Sequence, residues 1–252
     1  MDLVKETVED GVFTIFLNRP EKRNALNTEL LRALKKSVLN AEKSLSKVVI
    51  LRGAARFFSA GGDIKEFLDA QDPKSKVDSM VLLLNEIIKR IRSMPAIWVS
   101  VIEGGAIGAG LGLALSCDIT VASKSSYINM GYGRIGLTPD GGVSIFLTRL
   151  LGLKRMNELF FFSKNLPVEK AKEEGIINFV FEDGEIDSKV AEIASELKKL
   201  PSHVIGAYKE LVNGSIFPDL SNQLERERFY VSEMAGKESF KEILIEFLKK
   251  KG

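Results

Sequence analysis

Several chemistries are excluded by what this 252-residue chain lacks. A single cysteine, Cys117, forbids an intrachain disulfide and reads as buried packing before a strand. The one histidine, His203, follows Pro201 near a helix start, so any Ser–His–Asp triad would have to use it. No nucleophile-elbow sequence accompanies it. No group of His, Cys and carboxylate has metal-ligand spacing, so no metal is expected. The N-terminal MDLVKETVEDG has no apolar signal core, and the longest apolar stretch, Ala96 to Cys117, is broken by Glu103 and by glycines. A cytoplasmic protein without a membrane span is the expectation. Net charge is only +2, which leaves no basic stripe for nucleic acid, although local Lys and Arg clusters can still hold phosphate groups.

Glycine, by contrast, is concentrated where it matters. Ser59 to Phe67 reads SAGGDIKEF, and Glu103 to Asp118 reads EGGAIGAGLGLALSCD. Each follows a β-like run, Val48 to Leu51 and Ile97 to Ile102, and each leads into a helical pattern. Turns of this kind leave backbone N–H groups uncovered. If the two face one another, their amides converge on one point, as in an oxyanion hole. The second run does not give G-x-G-x-x-G in register, and Asp118 follows too soon to be the ribose-binding acid of a dinucleotide site. No Gly-Lys-Ser/Thr follows it either, which excludes a P-loop. Close helix–strand packing is the alternative use of these glycines.

Further along, Val12 to Asn18 reads as a strand, and Asn27 or Thr28 opens an amphipathic helix to about Ser44. Met80 to Ile91 is helical and Ile119 to Ala122 returns as a strand. The alternation of strand, turn and helix argues for an α/β fold. Past Leu200 it stops: Pro201 to Asn213, Leu220 to Met234 and Glu238 to Lys250 are helical with no strand between. Residues 1–200 are therefore expected to form the core with the site, and 201–252 a helical region that packs on it or on a neighbouring subunit. GLTPDGG (Gly136 to Gly142) precedes another helix. Asp140 there can be the N-cap or a base in an apolar pocket. A solvated cap has a lowered pKa; a desolvated base has a raised one. Arg19, Lys22 and Arg23, after the first strand, form either a solvated basic turn or a phosphate contact.

Taken together, NRPEKRNAL (Asn18 to Leu26), SAGGDIKEF, EGGAIGAGLGLALSCDITVAS and GLTPDGGVSIFLTRLLG resemble the crotonase superfamily, the enoyl-CoA hydratase/isomerase family, in its own order. The resemblance runs from about residue 3 to the C-terminal helices. It implies a crotonase-type spiral of repeated ββα units, with a C-terminal helical region joining subunits into a homotrimer or homohexamer. It implies an acyl-CoA thioester as substrate and no further cofactor. The oxyanion amides it implies are those of Ala60 and Ala109. The CoA contacts are Arg23, Ala25, Ala60, Asp63 and Ile64, with Phe247 and Lys250 closing over the nucleotide. Tyr132 and Leu137 are expected to line the acyl pocket, and Glu66 is a further candidate for it.

The departures from the family pattern are informative. Hydratases of the family carry two glutamates, where this chain has Gly112 and Tyr132. Asp140 falls where several isomerases of the family carry an acid, and Glu225 to Glu242 is similar to the tail of the ring-epoxide isomerases. The resemblance thus implies an enoyl-CoA isomerase with Asp140 as proton shuttle. A hydratase with an atypical acid–base set and a non-catalytic acyl-CoA-binding protein are the alternatives.

Overall fold

The computed structural model describes residues 2–250. In chain order the elements are β1 (Val4–Glu9), β2 (Val12–Leu17), α1 (Thr28–Lys43), β3 (Val48–Gly53), α2 (Ile64–Asp69), α3 (Pro73–Ser93), β4 (Ile97–Ile102), β5 (Gly105–Ile107) and α4 (Ala109–Leu115). There follow β6 (Ile119–Ser123), β7 (Tyr127–Asn129), α5 (Val143–Phe162), β8 (Leu166–Pro167), α6 (Val168–Glu173), β9 (Phe179–Phe181), α7 (Ile186–Leu197), α8 (Ser202–Ile216), α9 (Leu220–Ala235) and α10 (Phe240–Lys249).

The large sheet runs β1-β2-β3-β4-β6-β9, parallel except for the antiparallel β1–β2 hairpin. Its central strands are apolar on both faces because both faces are covered. On one side Val49 and Leu51 meet the main core with α1 and α3, among them Leu34, Val38, Leu84 and Ile88. On the other, Val48, Ile50, Val99 and Val121 pack against Ile186, Val190 and Ile205 of α7 and α8.

A second, small sheet, β5-β7-β8, builds the site. β4–β5–α4 and β6–β7–α5 each pass from a large-sheet strand through a small-sheet strand into a helix. The earlier turns do the same with single bridges, Leu26 to Gly62 and Ser59 to Ala106. This is the ββα spiral of the crotonase fold. Leu224, Val231, Phe240 and Leu244 of the last helices join the same core as the sheet. α9 packs along α3, and α10 on α2. Lys209 of α8 is buried and donates to the carbonyls of Ile91 (3.0 Å) and Ala96 (2.9 Å) and to Asp118 (2.7 Å), which also holds Arg92 at 3.0 Å. Asp118 is thus spent on fastening α8 to the body.

Candidate active site

The turns after β3 and β5 meet, and a cavity of 330 Å³ opens where they do. A side chain on Gly61 would begin 2.7 Å from the Ile107 carbonyl oxygen and 3.7 Å from the Ala109 nitrogen, and its φ is +85°. Only glycine fits there. The bridge to Leu26 decides which amide faces the cavity. Leu26 N–H donates to Gly61 O at 2.7 Å and Asp63 N–H donates to Leu26 O at 2.9 Å. In that parallel pattern Gly62, between them, turns its own N–H to the opposite side. Gly62 N–H has no acceptor among the described residues, nor has that of Ala109, the first residue of α4. Both residues line the cavity. The expected donor Ala60 is a correction: its N–H is engaged with Arg23 O at 3.0 Å.

Opposite the turns stands Asp140, which is 7% exposed and lines the same cavity. Tyr132 donates its hydroxyl to Asp140 Oδ1 at 2.8 Å, with the Asp140 carbonyl oxygen at 3.1 Å. Burial pushes the Asp140 carboxyl up to about 6, against the opposing effect of the Tyr132 hydroxyl. Burial, reinforced by the charge of Asp140, also holds the Tyr132 phenol well above its ordinary value. Tyr132 is therefore a neutral donor to the carboxylate. Asp140 does not cap α5. Gly142, with φ +80°, occupies the N-cap position, and the helix donors turn to Glu227 of α9. Glu227 accepts from Gly142 N–H at 2.7 Å, from Ser144 N–H at 2.9 Å and from the Ser144 hydroxyl.

No room exists for an acid at position 112 of α4. A side chain at Gly112 would start 2.4 Å from the Gly141 carbonyl oxygen and 3.0 Å from its carbon. The helix and the Asp140 turn touch backbone to backbone.

A profile of the family described as "Enoyl-CoA hydratase/isomerase" matches residues 7–252. The chain belongs to the enoyl-CoA hydratase/isomerase family. It is 31% identical to the 1,2-epoxyphenylacetyl-CoA isomerase of Escherichia coli, over all of this chain and 97% of that one. It is 30% identical to a 4-chlorobenzoyl coenzyme A dehalogenase of Arthrobacter sp., over 96% of this chain and 88% of the relative. Among solved structures, enoyl-CoA hydratase from Bacillus halodurans superposes with a TM-score of 0.90 at 26% identity, covering 97% of this chain and 99% of that one. Relatives in the family thus act on CoA thioesters by different reactions, and the local residues must distinguish them.

Of the residues expected at the site, Arg23, Ile64, Ala109, Tyr132, Leu137, Asp140 and Phe247 line the cavity together. Ala60 lines it too, though not as a free donor. Arg23, with φ +50°, sets its guanidinium 5.7 Å from the Phe57 ring centroid at the cavity wall. Phe247 enters from α10 of the same chain.

Other expected residues stand outside the cavity wall. Asp63 is the N-cap of α2, accepting from Lys65 N–H and pairing with Arg19 at 2.6 Å, so its carboxylate is already satisfied. Ala25 lies outside the cavity wall, its N–H donating to Lys22 O and its carbonyl accepting from Arg19. Lys250 also lies outside it, paired with Glu246 at 2.6 Å. Glu66 sits on α2 and turns away to Thr28 and Lys76. His203 is exposed on α8, outside the cavity wall, so it orients no nucleophile there.

Two participants escaped the sequence reading, Gly62 and Glu227. Glu227 had a visible signal, since it interrupts the apolar face that carries Leu224 and Val231 at helical spacing. A larger open groove of 680 Å³ lies beside α3 and α8, but its charges are consumed in pairs such as Lys35–Glu86 and Arg92–Asp118.

Proposed function

We propose that the protein is an acyl-CoA isomerase that moves a carbon–carbon double bond through a thioester dienolate. One observation carries this reading: a single buried carboxyl, Asp140, shares a cavity with two unpartnered amides, while the Gly112–Gly141 contact leaves no room for a glutamate at position 112. The thioester carbonyl lies between Gly62 N–H and Ala109 N–H. Asp140 takes a proton from C2 of a 3-enoyl-CoA, and the electron pair spreads over the dienolate, whose oxygen the two amides stabilise. The Asp140 carboxylic acid, its proton open to exchange with solvent, then protonates C4, leaving the double bond between C2 and C3. Nothing is gained or lost.

Each part has a stated worth. One oxyanion donor is typically worth about 2.7–4 kcal/mol. A positioned base contributes roughly 10²–10⁴-fold. A carboxyl raised to about 6 is a stronger base than an ordinary aspartate and is still ionised at neutral pH. Tyr132 fixes its orientation. Arg23 over Phe57, with Phe247 across the opening, supports binding of a phosphate-bearing CoA at the mouth. Exposed apolar residues on α5 and α8, including Leu153, Phe161, Tyr208 and Leu211, support the expected association into trimers or hexamers.

Incubation of the full-length protein with a medium-chain 3-enoyl-CoA tests the reading, with absorbance of the conjugated thioester as the signal. Conjugation at unchanged product mass is expected. A bound but unaltered substrate would instead indicate a protein that only binds acyl-CoA.

A further inference from the structure

The two amides that meet the thioester carbonyl come from turns after different strands, so something between the turns must set their spacing. Ser59 stands there, fully buried. Its backbone pairs with β5 in both directions. Ser59 N–H donates to Gly105 O at 3.0 Å, and Ile107 N–H donates to Ser59 O at 3.0 Å, just ahead of Ala109. Its side chain meets the start of α4, where a Cβ on Gly110 would begin 2.7 Å from the Ser59 Cβ and 2.8 Å from its Oγ. The residue that follows the Ala109 amide thus rests directly on Ser59.

The Ser59 hydroxyl serves the other amide. It accepts from Gly61 N–H at 3.2 Å and donates to Asn24 O at 2.9 Å. One hydroxyl can do both at once. Asn24 is itself fixed and fully buried. Its Nδ2 donates to Phe57 O at 2.5 Å and to Ala54 O at 3.1 Å, and its Oδ1 accepts from Arg19 N–H at 2.8 Å. Gly62 N–H belongs to the same planar peptide as Gly61 O, which accepts from Leu26 N–H at 2.7 Å. Gly61 is therefore held at both ends, by Ser59 at its N–H and by Leu26 at its carbonyl, and the direction of Gly62 N–H follows. We propose that Ser59 is a positioning residue for the carbonyl site: its backbone and Cβ set the separation of the Gly62 and Ala109 amides, and its hydroxyl aims the Gly62 amide. The inference rests on those two amides receiving the thioester oxygen.

Infrared spectroscopy of octanoyl-CoA carrying carbon-13 at the thioester carbonyl reads the two amides without turnover, because a saturated chain has no double bond to move. Binding to the full-length wild-type protein should lower the carbonyl stretching frequency. Ser59→Ala should lose part of that shift, and should lower kcat by about 10–10²-fold with KM nearly unchanged. Replacing Gly62 N–H by an ester oxygen should also lose part of the shift. Adding Ser59→Ala to the ester protein should then cost little more, because the hydroxyl acts through that one N–H. A packing role alone would leave the carbonyl band where it is. Gly110→Ala crowds the same side chain from α4 and keeps the hydroxyl, so it should lose part of the shift even if Ser59→Ala does not fold. A full shift in either folded variant, or a Ser59→Ala loss that adds undiminished to that of the ester, would overturn the proposal. A wild-type protein that shifts the band yet isomerises no 3-enoyl-CoA would instead sink the isomerase reading and leave the role of Ser59 standing.

Discussion

Adding one methyl group at Gly112 tests how the site was kept to a single acid. The new Cβ of Gly112→Ala would lie 2.4 Å from the Gly141 oxygen, where nonbonded atoms prefer roughly 3.5–4.0 Å. Both partners are backbone, so no rotamer change relieves the overlap. Alanine returns about 1 kcal/mol of helix propensity over glycine. Overpacking a tight interior costs about 1–3 kcal/mol, and a backbone-to-backbone collision belongs at or beyond the upper end. A net loss of about 2 kcal/mol should lower the melting temperature by about 4–8 °C for a chain of this size. Relief of the overlap pushes Gly141, and with it Asp140, away from the amides. Misplacement of about 1 Å can cost 10²-fold in rate. Circular dichroism melts and C2 exchange rates on the same sample measure both. Gly112→Glu should fare worse and gain no water addition. If Gly112→Ala melts with wild type and exchanges at full rate, α4 has room for a side chain and the steric argument against a second acid is wrong.

Other perturbations probe the remaining parts. Replacing Gly62 N–H by an ester oxygen should lower kcat by about 10²–10³-fold, whereas the same replacement at Ala60, already bonded to Arg23, should cost far less. Tyr132→Phe removes a donor that favours the carboxylate, so the acidic limb of the pH–rate profile should rise, by about 1–2 pH units for a charged hydrogen bond. Stability should follow pH in the opposite sense to an ordinary salt-bridged acid. Asp140 rises from 3.8 to about 6 on folding, so the native state binds the extra proton and loses stability as pH climbs from about 4 to 6. Denaturant melts of Asp140→Asn should therefore show a gain of up to about 3 kcal/mol at pH 8, shrinking toward pH 4. Lys209→Met leaves Asp118 with Arg92 and the Trp98 N–H, and should cost about 1.5–3 kcal/mol in the same melts.

Much of this was legible before any coordinates. The apolar run Ile97 to Ile102 is a strand over those same residues, because a strand covered on both faces needs no alternation. Asn27 caps α1 by accepting from Leu30 N–H, as its residue type suggests. What escaped depends on distant pairing. β1, VKETVE, is polar and mostly exposed, and only its hairpin with β2 makes it a strand. The small sheet contains strands of two or three residues and single bridges, too short to leave a periodicity. The family resemblance pointed to Ala60 where Gly62 stands for a related reason. Residue types announce an amide-rich turn, but the Leu26 bridge chooses which N–H faces inward. Asp140 shows the same limit. Its local sequence favours a cap, whereas Gly142 holds the N-cap position and Glu227, contributed by the C-terminal helices, takes the helix donors.

The central claim is that Asp140 carries a proton between two carbons of one substrate. Mass spectrometry of a medium-chain trans-2-enoyl-CoA incubated in D₂O with the pure protein, beside Asp140→Asn, addresses it directly. Deuterium should enter the acyl chain without net addition of water, and the Asp140→Asn protein should lose that incorporation. A product heavier by one water, or undiminished exchange in Asp140→Asn, would contradict the account.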